Sequence, residues 1–536
     1  MLSAGRLTSF FKKWWLPLLF CVVLPTAVVG NVIQRHSQFS PIDEGAHFDY
    51  VERLYSHGIP VMGDRMLTSS LREMACRGTA LEGIITPPCD AKKFPYDQWP
   101  GGAYQYQSQQ PPLYYAVTAP VAKAIDVVIG RGILGSIRLV SMLWLIGGLL
   151  LMWKTAALLG ISRLTTAAGL MLVGLAPTVV YYSAIVTNDA VGIFFGALVC
   201  YIAALAHVRQ RSYAKYAIAI GVAAALSKIS CVLPPVIIGM ALMLVSLQQS
   251  GGISTLRSVA SLRTWWNSTS GKTYARTGTA LVVSSIAATL AWVVYFTATS
   301  TISPETLPTF DVMRAPNFQF TTILNQAMTF LAPFTDSYQP FQFWNKSVFD
   351  IMHQISRYTL VAGCAAGVFV ASRKWWSAIG PLVLAGLYAG GIAIGIGIWR
   401  TYDINPGVSS RYALPMVPVL VLILCAGIQR ATAQKVFALG AFAFSAMSVW
   451  MIIQTPLVYL LRIVAQALCP PKRTLSIGVP PSWRRRTIWV VVKHSSPLFT
   501  KRPWYAQPKL LDGIFSFAVF IKRCTWIHHV TQAFFA

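Results

Sequence analysis

Leu16-Pro17-Leu18-Leu19-Phe20-Cys21-Val22-Val23-Leu24-Pro25-Thr26-Ala27-Val28-Val29-Gly30-Asn31-Val32-Ile33 carries no charge, and soon afterwards comes Ser40-Pro41-Ile42-Asp43-Glu44-Gly45-Ala46-His47-Phe48-Asp49-Tyr50. As a helix the first stretch comes close to spanning a hydrocarbon core of about 30 Å. Arg6, Lys12 and Lys13 precede it. Basic flanks stay in the cytoplasm, so this reads as a first membrane helix with its N-terminus inside. The alternative is a cleaved leader, but Val28-Val29-Gly30 is a poor cleavage site and the run is long. The acidic stretch that follows is then outside.

The rest of the chain repeats the apolar pattern. Of 536 residues, 55% are hydrophobic and 11% are charged, and the mean hydropathy is +0.55. A soluble protein would carry roughly a quarter charged residues. Further apolar runs are expected near 113–128, 137–157, 164–182, 191–206, 216–226, 232–247, 279–298, 358–371, 378–398, 412–428 and 436–453. The expected fold class is an all-α polytopic membrane protein with about 11–13 transmembrane helices and a long first external loop. The expected divisions are the N-terminal segment and first helix (1–33), the acidic external loop with interfacial helices (34–111), a set of transmembrane helices (112–300), a second external loop (301–356), further transmembrane helices (357–458) and a basic C-terminal tail (459–536). Three apolar runs lie between Pro112 and Thr187, and three crossings cannot return the chain to the face it left. The run 113–128, interrupted by Lys123 and Asp126, is the one expected to lie along the surface or re-enter.

The net charge of +27 excludes little by itself. Lys and Arg sit between apolar spans, as cytoplasmic loops require, and no basic stripe marks a soluble domain, so no nucleic-acid partner is expected. The tail holds many of the cations. Its charge places it inside, whereas the helix count places it outside. Of the nine cysteines, Cys21, Cys200, Cys231, Cys364 and Cys425 fall in apolar spans and read as small core residues. Cys76 and Cys89 lie in the acidic loop, where an oxidising exterior would let them pair. No Cys/His spacing for a metal occurs.

The chain has 17 acidic residues, and nine of them lie between Asp43 and Asp97. A carboxylate at a membrane boundary is costly to desolvate, which points to a task. Asp43 and Glu44 open a helix whose positive end suits acids, and Asp43 shares a face with His47. A helix cap with a solvated face is the structural alternative. The loop ends Tyr106-Gln107-Ser108-Gln109-Gln110-Pro111-Pro112-Leu113-Tyr114-Tyr115. Later come Thr187-Asn188-Asp189-Ala190 and Ser409-Ser410-Arg411-Tyr412-Ala413-Leu414-Pro415.

An acidic pair after the first helix, a Pro-Pro-Leu-Tyr-Tyr entry, an Asn-Asp before a later helix and an Arg-Tyr-x-x-Pro, in this order, resemble the GT-C superfamily of membrane glycosyltransferases. The likeness is to the bacterial branch near the aminoarabinose and protein-mannosyl transferases, and it covers roughly residues 16 to 454. It implies a GT-C-like helix bundle in the bacterial plasma membrane. It also implies transfer of a hexosyl or pentosyl group, with inversion, from a polyprenyl-phosphate carrier to a lipid or glycan acceptor of the cell envelope at the outer face. In that family an acid of the first external loop is the catalytic base, a role that maps onto Asp43 or Glu44, and a second acid maps onto Asp189. Substrate contacts are expected from His47, Asn188, Asp189, Arg411, Tyr412, Gln110 and Tyr114. The family often has a cation where this chain has Gln110.

The chemistry is consistent with that assignment. A lipid phosphate leaves as a stable anion, so an inverting displacement needs one base for the acceptor hydroxyl and a cation for the phosphate. Arg411 is the leading cation because guanidinium matches phosphate oxygens, with Lys228 and Arg400 behind it. No cofactor is required. Asp43, Glu44 and Asp49 could hold a divalent ion through oxygen ligands. Two rival functions are an O-antigen ligase or polymerase working through His353 and Arg357, with the aromatics Tyr338, Phe341, Phe343 and Trp344 over the substrate, and a lipid-linked sugar transporter that catalyses nothing.

Overall fold

The computed structural model describes residues 15–79, 86–251, 258–303, 307, 317–336, 346–370, 376–403 and 409–468. The described residues form helices and no strand, apart from two isolated bridges, Phe39 with Thr79 and Arg65 with Tyr104. Among the described residues, eight helices are long and apolar enough to cross a membrane, and a ninth span is formed if one bent pair is counted as a unit. The chain is therefore an all-α polytopic membrane protein.

The first span, α1, is Trp15–Arg35. Two loop helices follow, α2 (Glu44–Leu54) and α3 (Thr68–Arg77), then α4 (Leu113–Ile129) and α5 (Ile133–Leu158). The run expected as one helix at 164–182 is two, α6 (Arg163–Gly174) and α7 (Pro177–Ala184), bent by 57°. Pro177 disfavours helical backbone at Ala176, which is extended, and so enforces the break. Next come α8 (Gly192–Arg209), α9 (Ala214–Ser227) and α10 (Leu233–Gln249). The basic stretch after α10 contains an amphipathic helix, α11 (Val259–Asn267), before α12 (Arg276–Thr299). A short α13 (Phe320–Ala327) precedes α14 (Lys346–Val370), α15 (Trp376–Tyr402), α16 (Val417–Gly427) and α17 (Ala431–Leu468).

Two expected boundaries move. The helix expected from 358 begins at Lys346, inside the expected second external loop, and α17 runs across the boundary expected at 458 to Leu468. Tyr338, Phe341, Phe343, Trp344 and the tail beyond 468 lie outside the described residues.

Hydrogen bonds tie alternate helix ends to the acidic loop. Near the start of α5, Arg138 meets Glu44; just after α7, the Val186 amide meets Glu44. Beyond α12 the Thr301 amide meets the Met62 carbonyl, and at the end of α15 the Tyr402 hydroxyl meets Gln109. At the opposite end, Cys425 of α16 meets the Thr165 carbonyl of α6. Both ends of α4 lie on the loop's side. Tyr115 reaches His47 at its start, and Asp126 accepts from Ser136 close to Arg138 at its end. It therefore starts and finishes on one face, and the three segments between Gln110 and Asn188 bring the chain back to the same side.

The main core is built from α1, α5 to α10, α12 and α14 to α17. A second apolar cluster joins the loop to the bundle through Phe39, Phe48, Tyr50, Tyr114, Tyr115 and Ile137. The loop also has its own small core of Met66, Leu71, Phe94 and Trp99. It is stapled by the Cys76–Cys89 disulfide, and the five cysteines expected in apolar spans are free and buried.

Candidate functional site

Asp43 begins the site. It precedes α2 with left-handed backbone, φ +59°, and its side chain makes no cap hydrogen bond. Asp tolerates this conformation better than most residues, and such backbone is held only where its surroundings require it. Freed from capping, the carboxylate accepts from the Tyr106 hydroxyl at 3.1 Å and from Arg411 Nη2 at 2.9 Å.

Glu44, one residue on, is differently placed. Fully buried, it takes Arg138 in a two-pronged pair, Nε to Oε1 at 2.8 Å and Nη2 to Oε2 at 2.7 Å. The Ser40 amide at 2.6 Å and the Val186 amide at 2.7 Å occupy the remaining acceptor sites. Arg138 also donates to the carbonyls of His36 and Gln38. Glu44 thus cross-links α1's exit, α2, α5 and the end of α7, and neither of its oxygens is left open to a substrate.

The second acid, Asp189, is buried with Lys228 Nζ 2.6 Å from Oδ1. Its Oδ2 accepts from Thr187 Oγ1 at 3.0 Å and lies 3.8 Å from Arg411 Nε. Asp189 is not the cap of its turn, because Thr187 accepts from the Asp189 amide and fills that place. Lys228 stands in the extended break between α9 and α10, where its ammonium also donates to Asn188 at 3.1 Å. Asn188 in turn donates to Gln110 at 2.9 Å. Gln110 therefore serves as a hydrogen-bonding strut.

Arg411 reaches this point because Gly192 and Gly196 admit the segment that bears it. Pro415 N is 3.2 Å from where a Gly192 Cβ would stand, and a Cβ on Gly196 would overlap the Pro415 carbonyl oxygen. Small residues four apart let two membrane segments approach at backbone distance. Ser409 caps the Ser410–Met416 turn, and Asp336 accepts from both Ser409 at 2.6 Å and Tyr182 at 2.7 Å. The guanidinium lies over the rings of Tyr182 and Tyr412, and Lys228 also lies over Tyr412.

His47 Nδ1 is 2.7 Å from the Tyr115 hydroxyl, and Nε2 is 3.4 Å from Thr187 Oγ1. Burial pushes its imidazole down to about 3, against the pull of Asp43, so the ring is neutral at ordinary pH. Burial also raises the Tyr106 hydroxyl well above its usual range, and Asp43 adds to the rise, so this phenol stays a donor.

Asp43, His47, Asn188, Asp189, Gln110, Arg411 and Tyr412 thus fall into one connected network. Tyr114 does not. It packs inside the core with its hydroxyl 3.3 Å from Ser141, while its neighbour Tyr115 touches His47. Arg400 is exposed at the end of α15, and His353 bonds Thr335 at 2.8 Å. Asp49 is a strut that accepts from the Leu67 amide and Gln105, and burial raises its carboxyl. Among the described residues, no three His, Cys, Asp or Glu side chains are grouped to hold a metal ion. Sequence reasoning missed Arg138, Thr187 and Asp336. The available signal for Arg138 was an arginine near the start of a largely apolar 26-residue helix whose only other charge, Lys154, lies near the far end.

No protein-family model, curated protein or solved structure matched this chain.

Proposed function

We propose that this chain is a membrane glycosyltransferase of GT-C type. It takes a sugar from a polyprenyl-phosphate carrier and places it on an acceptor hydroxyl at the face of the membrane that carries the acidic loop. One observation carries the reading: Asp43, part-exposed and in left-handed backbone, stands at the outer end of a chain of alternating charges, Asp43, Arg411, Asp189 and Lys228. This supplies a carboxylate base next to a guanidinium for the phosphate, in the partly desolvated setting that such chemistry needs. Asp43 takes the acceptor proton. The acceptor oxygen attacks the anomeric carbon from the side opposite the phosphate. The carbon–oxygen bond to the phosphate breaks, and the polyprenyl phosphate leaves with the electron pair. Arg411 holds that phosphate, Asp189 and Lys228 orient Arg411 from behind, and Tyr106 orients Asp43. Glu44 is given a positioning role, because all its acceptor sites are occupied.

Turnover of candidate polyprenyl-phosphate sugars by purified wild type and Asp43→Asn tests this. Loss of at least about a hundredfold in the variant is expected for removal of a general base. Equal rates would end the assignment.

A further inference from the structure

The four charges of the network cancel in pairs, and exposure falls from Asp43 through Arg411 to the buried Asp189–Lys228 pair. The Asp43 side chain is 26% exposed and that of Arg411 13%, whereas Lys228 and Asp189 are at 5% and 2%. An anion arriving from the loop's side meets Asp43 first. The inner face of the guanidinium is turned to Asp189, and its buried Nε has no hydrogen-bond partner. Its Nη2 is engaged by Asp43 at 2.9 Å and lies 3.4 Å from the Tyr412 hydroxyl. The guanidinium that a phosphate would use therefore already carries Asp43 on one of its terminal nitrogens.

We infer that the donor's phosphate and the Asp43 carboxylate compete for Arg411, so that donor binding itself releases the base. This rests on the transferase reading above and adds to it an order of events. Without donor, Asp43 is paired with a cation and held by Tyr106. When the phosphodiester takes the guanidinium prong, Asp43 loses its cationic partner and gains an anionic neighbour, and both changes favour its taking a proton. The acceptor hydroxyl is deprotonated only with the sugar in place. Asp189 and Lys228 stay behind as a compensated pair, so Arg411 is held in position while its outer partner changes. After the carbon–oxygen bond breaks, the phosphate remains on Arg411 and the proton on Asp43. When the carrier leaves, the proton passes to solvent and the original pair reforms.

Competition has a thermodynamic signature that needs no turnover. Undecaprenyl phosphate, which carries no sugar, is titrated into wild type, Asp43→Asn and Arg411→Ala in nanodiscs of neutral lipid. The part-exposed pair that must be broken is worth about 1 kcal/mol or less, so Asp43→Asn is expected to bind roughly threefold to fivefold more tightly than wild type. Arg411→Ala is expected to lose binding. In wild type, carbodiimide labelling of Asp43, read by peptide mass spectrometry, is expected to rise when the lipid phosphate is added. That measurement stands even if a variant folds poorly. Equal or weaker binding by Asp43→Asn, or labelling that does not change, overturns the competition while leaving a lipid-phosphate enzyme in place. Absence of binding by all three proteins overturns both the competition and the transferase reading.

Discussion

Asp43 and Glu44 are neighbours in sequence and opposites in environment. Asp43 is part-exposed with two side-chain partners, whereas Glu44 is sealed among four donors. Their substitutions should separate accordingly. Asp43→Asn is expected to keep its melting temperature while losing turnover. Arg138→Ala leaves the Glu44 charge buried and unpaired, and is expected to cost about 3–5 kcal/mol and lower the melting temperature. Thermal unfolding in detergent beside a turnover assay distinguishes them. His47 supplies a pH effect whose sign is fixed. Its folded value lies far below the usual 6.5, so the unfolded chain binds the extra proton in between. Its contribution is complete above about 6.5 and is lost as pH falls toward 3, at up to about 1.4 kcal/mol per pH unit. Melting temperatures from pH 7 to 5 should fall less steeply in His47→Gln than in wild type.

Among the elements, the Gly192–Gly196 face of α8 matters most for the site, since it lets the Arg411 segment reach Asp189. The packing is at backbone distance, so a methyl group cannot be absorbed by a flexible side chain. Gly196→Ala is expected to destabilise by about 1–3 kcal/mol through overpacking. It should also weaken undecaprenyl phosphate binding, because Arg411 moves away. Binding that survives intact would show that α8 does not set the position of Arg411. The α6–α7 break has a comparable consequence. A straight helix there would not bring the Val186 amide to Glu44 at 2.7 Å. The sequence displays Pro177 plainly, but a proline marks only a point of weakness, and the 57° bend depends on what packs around it.

At the scale of the molecule, alternate helix ends and both ends of α4 gather on the side of the acidic loop. If that side is the exterior, a cysteine placed at Tyr96 should react with an impermeant maleimide in intact cells, and one placed at Arg211 only after lysis. The reverse pattern would invert the proposed topology and remove the oxidising setting that the Cys76–Cys89 bridge requires. Loss of that bridge by Cys89→Ser is expected to cost about 3 kcal/mol of loop stability, given the short span it closes. Limited proteolysis of the loop would register the change before any bundle helix is cut.

Apolar length and the placement of charge were enough to determine a helical membrane protein, its first loop, and the acids, amide and arginine worth watching, because bilayer thickness and charge desolvation act on each segment separately. The same local rules could not separate Asp43 from Glu44, since identity and neighbourhood are nearly shared. Nor could they find Arg138, about a hundred positions from its partner, or see that Tyr115 and not Tyr114 turns toward His47. Those distinctions depend on which donors meet which oxygens when α2, α5, α8 and the Arg411 segment converge. Partner choice across distant segments is set by packing, and only the tertiary structure decides it.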